Sequence, residues 1–290
     1  MANVQIKSFL CSKGDNPLFC QDRIAMDASL GCFVVADGVS NSYHPEIMSG
    51  AVCSEYLKYS VLWNKDKNAP IDIVHQGACL QWQTKTKLYE AGLVGRQLKH
   101  AIDKRLYLPA GATTMAGVII GSDMSVHYDV LGDSSLILFD DECEQQRICT
   151  CKIRELDGRR EFVYDNHPSC MLADGSIVGR WASGEITLPS GFMVLATDGA
   201  AEWMQTMAIE GYNVIGRMWN MDTHDDFQNF VMNCRKDGHM DDDIAVVILK
   251  INRNQTEDKT ISYEYLHHEY VSWEDIDGSP IFYDKPALSE

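Results

Sequence analysis

The chain has 290 residues, 45% hydrophobic and 23% charged, which allows a sizeable buried core and argues against disorder. Its 42 acidic and 25 basic residues give a net charge of −17, which repels phosphate backbones and anionic lipid, so neither nucleic acid nor a membrane is expected as a partner. No run approaches about 18 apolar residues, and MANVQIKSFLCSKGDN lacks the features of a signal peptide, so a cytoplasmic location is expected.

Taken in chain order, GCFVVAD near 31–37 is the first predicted strand, a short apolar run rich in β-branched residues. From Glu46 to Trp63, Ile47, Ala51, Ser54, Leu57 and Val61 recur every three or four residues, the stripe of an amphipathic helix. Helical material continues from Ile71 to about Leu106, interrupted near Gly92 and Gly95. TTMAGVIIG (113–121), VHYDVLGD (126–133) and SLILFD (135–140) follow closely, joined by turns at Ser122-Asp123 and Asp133-Ser134, and read as an antiparallel meander. RRE at 159–161 reads as a surface hairpin. GFMVLATD (191–198) is a strand leading into a helix over 200–210, and a further helix over 225–236 places Phe227, Phe230, Val231 and Cys234 on one face. IAVVILKI (244–251) and TISYEYL (260–266) complete the strands.

Helices bracket the strands rather than alternate with them, which predicts an α+β fold with helices outside antiparallel sheet. A dinucleotide-binding or receiver-type α/β domain would need regular alternation and a glycine-rich phosphate loop, and neither is present. The tail after Asn254 is more polar and is expected to add an edge strand and then run over the surface. The ten cysteines fall at no regular spacing and form no Cys-x-x-Cys pair, so they read as reduced thiols. Cys149 and Cys151, in RICTCKI, share a face if that segment is a strand, but two thiols alone make a poor metal site.

Four aspartates stand at the mouths of apolar strands: Asp37 after FVVA, Asp133 after YDVLG, Asp198 after FMVLAT, and Asp242 just before IAVVIL. Antiparallel pairing sets the end of one strand beside the start of the next, so the four can share a rim. At about 4 Å, two like charges cost roughly 4 kcal/mol at an effective dielectric near 20, so a cation is needed there. With histidine absent from the set, a hard divalent ion such as Mg²⁺ or Mn²⁺ is the fitting one.

FVVADGVSNS, GATTMAGVII, LGDSSLILF, GFMVLATDGAAEWM and DDDIAVVIL resemble, in order and spacing, the signature segments of the metal-dependent protein phosphatase 2C (PPM-type) family, bacterial branch, over about residues 5–250. The resemblance implies a sandwich of two antiparallel β-sheets flanked by helices, with a catalytic domain over 1–254 and a C-terminal extension over 255–290. It implies a phosphoprotein substrate, a cognate serine/threonine kinase, and hydrolysis of phosphoserine and phosphothreonine by a hydroxide bridging two Mn²⁺ or Mg²⁺ ions. Asp37 would bridge both metals, Gly38 would contribute its carbonyl, and Asp198 and Asp242 would complete the first metal's shell, with Asp37, Asp198 and Asp242 carrying catalysis. Asp133 would help hold a third, weaker ion, and Asp22 would bind metal-held water.

Three departures from the family pattern stand out. Gln21 precedes Asp22 where many members have Glu, Val39-Ser40-Asn41 follows the Asp-Gly pair, and no arginine precedes Arg23 to hold the substrate phosphate. Lys13 is the nearest upstream cation and would replace that arginine as a point charge. The departures keep a second function open, a phosphatase-fold binding or sensor module that has lost catalysis. Residues 141–185 correspond to the region in which family members differ and place a substrate-facing flap.

Overall fold

The structure, a computed structural model, describes residues 1–14, 20–139, 145–156, 159–164, 167–253 and 260–267. The chain opens with β1 (Ala2–Cys11), β2 (Arg23–Asp27) and β3 (Cys32–Ala36), followed by α1 (Pro45–Lys65), α2 (Asp72–Ala91) and α3 (Gly95–Tyr107). Next come β4 (Ala112–Thr113), β5 (Met115–Ile120), β6 (Ser125–Leu131), β7 (Ser135–Phe139) and β8 (Gln145–Ile148). Then follow β9 (Lys152–Leu156), β10 (Arg159–Val163), β11 (Cys170–Leu172), β12 (Ile177–Val178), β13 (Ala182–Thr187) and β14 (Gly191–Ala196). The chain continues with α4 (Asp198–Ile209), α5 (Val214–Trp219), α6 (His224–Lys236), β15 (Ile244–Arg253) and β16 (Ile261–His267).

Two large sheets carry the fold. One has the order β16-β1-β15-β14-β7-β8, the other β13-β6-β5-β3-β2. All pairs are antiparallel except β1 with β16, which run parallel. Side chains alternate across each strand and so feed three apolar layers. Phe33 and Val35 of β3 meet Val247 and Leu249 of β15 between the sheets. Cys32 and Val34 face Met48, Val52 and Tyr56 of α1, while Val246 and Ile248 face Trp203 of α4 and Phe227 and Phe230 of α6. The predicted sandwich of antiparallel sheets flanked by helices is the observed architecture.

Several elements differ from the sequence-based expectation. The buried face of α1 runs through Met48, Val52, Tyr56, Tyr59 and Trp63, and Val61 is 37% exposed. Ile47 and Ala51 of the expected stripe are buried as well, so the buried surface is wider than that stripe and extends to Met48, Val52 and Tyr56 beside it. RICTCKI is not one strand, since residues 149–151 form a coil between β8 and β9. RRE does lie in a hairpin, formed by β9 and β10. Ile261–His267 is the expected edge strand, and 255–259 and 268–290 of the expected tail lie outside the described residues.

The inter-layer packing sets a sharp steric test. Gly117 in the middle of β5 lies beneath the ring of Tyr56, and a Cβ there would come within 2.5 Å of the Tyr56 Cε1. Tyr56 is wholly buried and fixed by its hydroxyl on Asp129 at 3.2 Å. Gly117→Ala is expected to lower unfolding stability by about 1–3 kcal/mol, the range of overpacked cores, read as a lower urea midpoint with unchanged slope.

Candidate active site

The strand ends bring six aspartates to one rim. Asp37 follows β3, Asp133 sits in the turn between β6 and β7, Asp198 opens α4 directly after β14, and Asp242 and Asp243 lead into β15. Asp22 arrives on the loop just before β2. Asp22, Asp133 and Asp243 are buried, at 1%, 4% and 2% exposure, whereas Asp37, Asp198 and Asp242 are partly exposed at the surface of the rim. The three outer carboxylates thus face solvent with a second tier of carboxylates behind them.

Each outer group is fixed through its backbone. The Asp37 carbonyl accepts from the Thr114 amide at 2.9 Å and from the Thr113 hydroxyl at 2.6 Å. Gly38 bridges to Thr113, and a Cβ at Gly38 would come within 2.9 Å of the Pro45 backbone, so close packing against the start of α1 requires the glycine. Thr197, just before Asp198, donates its amide to the Ala245 carbonyl at 3.0 Å and accepts the Ala245 amide on its hydroxyl at 2.9 Å. The Asp198 carboxylate accepts the Gly199 amide at 2.6 Å.

Electrostatically the group is strained. Desolvation pushes Asp37 up to about 7, with the charges of Asp133, Asp242 and Asp243 adding to it and the adjacent Asp22 carboxyl acting the other way. Burial raises Asp22 well above the usual carboxylate range, and Asp37, Asp243 and Asp198 raise it further. Asp198 is raised by desolvation and then by Asp37 and Asp242. Among the described residues, neither carboxylate oxygen of Asp22 accepts a hydrogen bond of good geometry.

Lys13 lies at the same rim. Its Nζ is 2.7 Å from Asp242 Oδ1 and 3.3 Å from Ser40 Oγ, and Ser40 in turn donates to Gln21 Oε1 at 2.6 Å. Burial lowers the Lys13 pKa, but its hydrogen bond to Asp242 and the charges of Asp242, Asp243 and Asp22 leave it raised overall. Arg23, the first arginine of the chain, is turned inward and donates to the carbonyls of Cys20 and Asp22 at 2.5 and 2.6 Å.

Asp243 is the residue that sequence reasoning missed. Its two carboxylate oxygens accept the backbone amides of Lys13 and Gln21, each at 2.6 Å, and so fasten the loop that carries Lys13 and Asp22 onto β15. Within the run of three aspartates at 241–243 no sequence signal separates it from Asp242. A cleft of about 330 Å³ opens beside the rim, lined in part by Asp198, Glu202, His239, Asp242 and Tyr164.

Among the described residues no three acidic, histidine or cysteine side chains close around one ion-sized point. The donor set nevertheless fits a hard cation: it is all oxygen, it stacks like charge on like charge, and among the described residues it leaves the buried Asp22 oxygens without a hydrogen bond of good geometry.

The protein phosphatase 2C family model matches residues 12–246. The chain belongs to this family and is a protein serine/threonine phosphatase by class. Among solved structures it is similar to the catalytic domain of the serine threonine phosphatase PstP in complex with two manganese ions, at 14% identity and a TM-score of 0.54, covering 87% of this chain and 100% of that one. It is similar to the photosystem II phosphatase PBCP, at 12% identity and a TM-score of 0.53 over 86% of this chain and 99% of that one. It is also similar to PppA of Pseudomonas aeruginosa, a regulatory component of T6SS, at 11% identity and a TM-score of 0.51 over 87% of this chain and all of that one. At these identities the likeness is one of fold. No curated protein matches the chain in sequence. Among the described residues no helix is long and apolar enough to cross a membrane.

The raised carboxylates dictate a pH response. Folded Asp37 keeps its proton to about 7, whereas an unfolded aspartate loses it near about 3.9. The folded state therefore binds more protons in between, and its stability falls as pH rises through that window. In EDTA, the melting temperature is expected to drop between pH 5 and pH 8, and to drop less in Asp37→Asn, which cannot ionise.

Proposed function

We propose that the chain hydrolyses phosphoserine and phosphothreonine in proteins at the aspartate rim. The observation that carries this reading is the convergence of six strand-end carboxylates on one open edge, strained by their own repulsion, in a phosphatase 2C fold. Mn²⁺ or Mg²⁺ ions would be held by Asp37, Asp198 and Asp242 with the Gly38 carbonyl, with Asp22 orienting bound water and Asp133 serving a third ion. When bound, such ions supply positive charge for the phosphoryl oxygens and lower the pKa of water.

The chain's own residues do the rest. Asp37 is held at fixed position by Thr113 and Thr114, so its carboxylate presents one orientation to a ligand. Asp243 holds the Lys13 and Asp22 loop in place. Lys13 meets the substrate phosphate as a point charge at the mouth, where it now rests on Asp242. The partly enclosed cleft beside Asp198 and Asp242 receives the segment that bears the phosphorylated side chain. A phosphoprotein substrate requires a serine/threonine kinase that supplies it. The catalytic domain is assigned to residues 1–254, with 255–290 as an extension whose first strand edges the sheet.

Phosphate release from a phosphothreonine peptide tests the reading. It is expected to need Mn²⁺ or Mg²⁺, to vanish in EDTA, and to fall about a hundredfold or more in Asp37→Asn and in Asp198→Asn. Tight Mn²⁺ binding without turnover would instead make this a recognition module. Lys13→Met is expected to raise KM several-fold with little change in kcat, since a contact to the substrate phosphate is made equally in ground and transition states.

A further inference from the structure

Asp133 sits between two strands of the large sheets, where its carbonyl accepts from the Ser135 hydroxyl at 3.1 Å and the adjacent Ser134 hydroxyl bonds to Thr114 at 2.7 Å, and it has in addition a contact outside those sheets. Its neighbour Gly132 donates its amide to the Thr150 hydroxyl at 2.6 Å, and the Gly132 carbonyl accepts from the Thr150 amide at 2.9 Å and the Thr150 hydroxyl at 3.2 Å. Thr150 is the single residue between Cys149 and Cys151, in the coil that separates β8 from β9. The two side chains are near enough to perturb each other's ionisation, and both are partly exposed. The Cys151 sulfur also lies 3.8 Å from the Gly132 carbonyl.

We propose that Cys149 and Cys151 are a peroxide-oxidised dithiol whose closure into a disulfide releases the Gly132–Asp133 turn and switches the phosphatase off; the last clause rests on the function proposed above. Two residues apart, the cysteines have Cα atoms at most about 7 Å from each other, at the limit of disulfide reach. Closure must bring the two sulfurs to about 2.05 Å. The backbone that must bend to allow this is that of Thr150. Gly132 cannot follow it, because Gly132 sits at φ +92° and is packed so that even a Cβ would meet the Ser169 carbonyl at 2.5 Å. The clamp therefore opens.

The chemistry balances with hydrogen peroxide as oxidant. The Cys149 thiolate attacks one peroxide oxygen, the O–O bond breaks, and sulfenic acid and one water result. Cys151 sulfur then attacks the Cys149 sulfur, the S–O bond breaks, and a second water leaves with the thiol proton. Two thiols lose two electrons and two protons in total, and peroxide is reduced to two waters. Cys149 suits the attacking role: its interaction with Cys151 holds its thiol down at about 7 against the burial that raises it, with the Arg147 charge nearby.

The experiment treats the whole chain with a slight excess of hydrogen peroxide, quenches with catalase, blocks free thiols, and maps cysteine peptides by mass spectrometry. Amide hydrogen exchange and phosphate release are measured in parallel. The proposal expects a Cys149–Cys151 disulfide, exchange of the Thr150 and Gly132 amides faster by about tenfold or more, and a matching loss of activity. All three are expected to reverse with dithiothreitol, and Cys149→Ser and Cys151→Ser are each expected to keep activity and resist peroxide. Free thiols at both positions, a bridge to Cys170 instead, or a disulfide that leaves both amides protected would overturn it. If the reduced chain hydrolyses no phosphopeptide, the phosphatase reading fails, while the mapping and exchange data still decide the switch.

Discussion

Repulsion among carboxylates at one edge of the sandwich is the constraint on which the rest of the architecture depends. A pair of unit charges about 4 Å apart costs roughly 4 kcal/mol near a protein surface, and here Asp22, Asp37 and Asp198 each feel at least two others. Left to relax, such groups would swing apart. They do not, because each is attached at a point where the backbone has no freedom: Asp37 where Thr113 and Thr114 seize its carbonyl, Asp198 where Thr197 and Ala245 exchange hydrogen bonds, Asp243 where it is bonded to two amides. Those anchors are stiff because their strands run between three packed apolar layers. Sheet and helix packing thus supplies the rigidity with which like charges are kept together.

The departures from the family pattern gain a meaning from this geometry. Lys13, Ser40 and Gln21, which look unrelated in the sequence, form one hydrogen-bonded row along the rim. A glutamate at position 21 would add a further negative charge to an already overloaded edge. Glutamine accepts from the Ser40 hydroxyl without that charge, and the serine passes the contact on to Lys13. The changes are physically linked, and the one at position 21 makes this side of the rim less negative.

Much of the fold was legible because apolar runs such as VVILKI and FMVLA have no alternative to burial, and the strand-end aspartates stood out against them. What escaped had a physical reason in each case. Lys7 and Ser8 interrupt the apolar pattern of β1, yet Lys7 is 3% exposed, its amine taken up by the carbonyls of Trp219 and Met221 and by Asp222. A lysine satisfied by residues more than two hundred positions away cannot be recognised locally. Asp243 was hidden for the same reason, since its partners lie on the N-terminal loop. The buried face of α1 was only partly read, because the helix buries Met48, Val52 and Tyr56 together with Ile47 and Ala51, and apolar spacing does not show how wide the covered face is.

Asp133 shows how a contact outside the two large sheets can act on the rim. Asp37, Asp198 and Asp133 all adjoin strands paired on both sides within the large sheets. Asp133 is tied through Gly132 to Thr150, in a coil between an edge strand and a two-stranded hairpin. That hairpin is itself held to α4 by the paired hydrogen bonds between Phe162 and Gln205. A local change at Thr150 therefore reaches one carboxylate of the rim without passing through the inter-sheet core. Because Asp133 is the first charge to act on Asp37 after desolvation, moving it alters the electrostatics of the central aspartate while leaving that aspartate's own anchors intact.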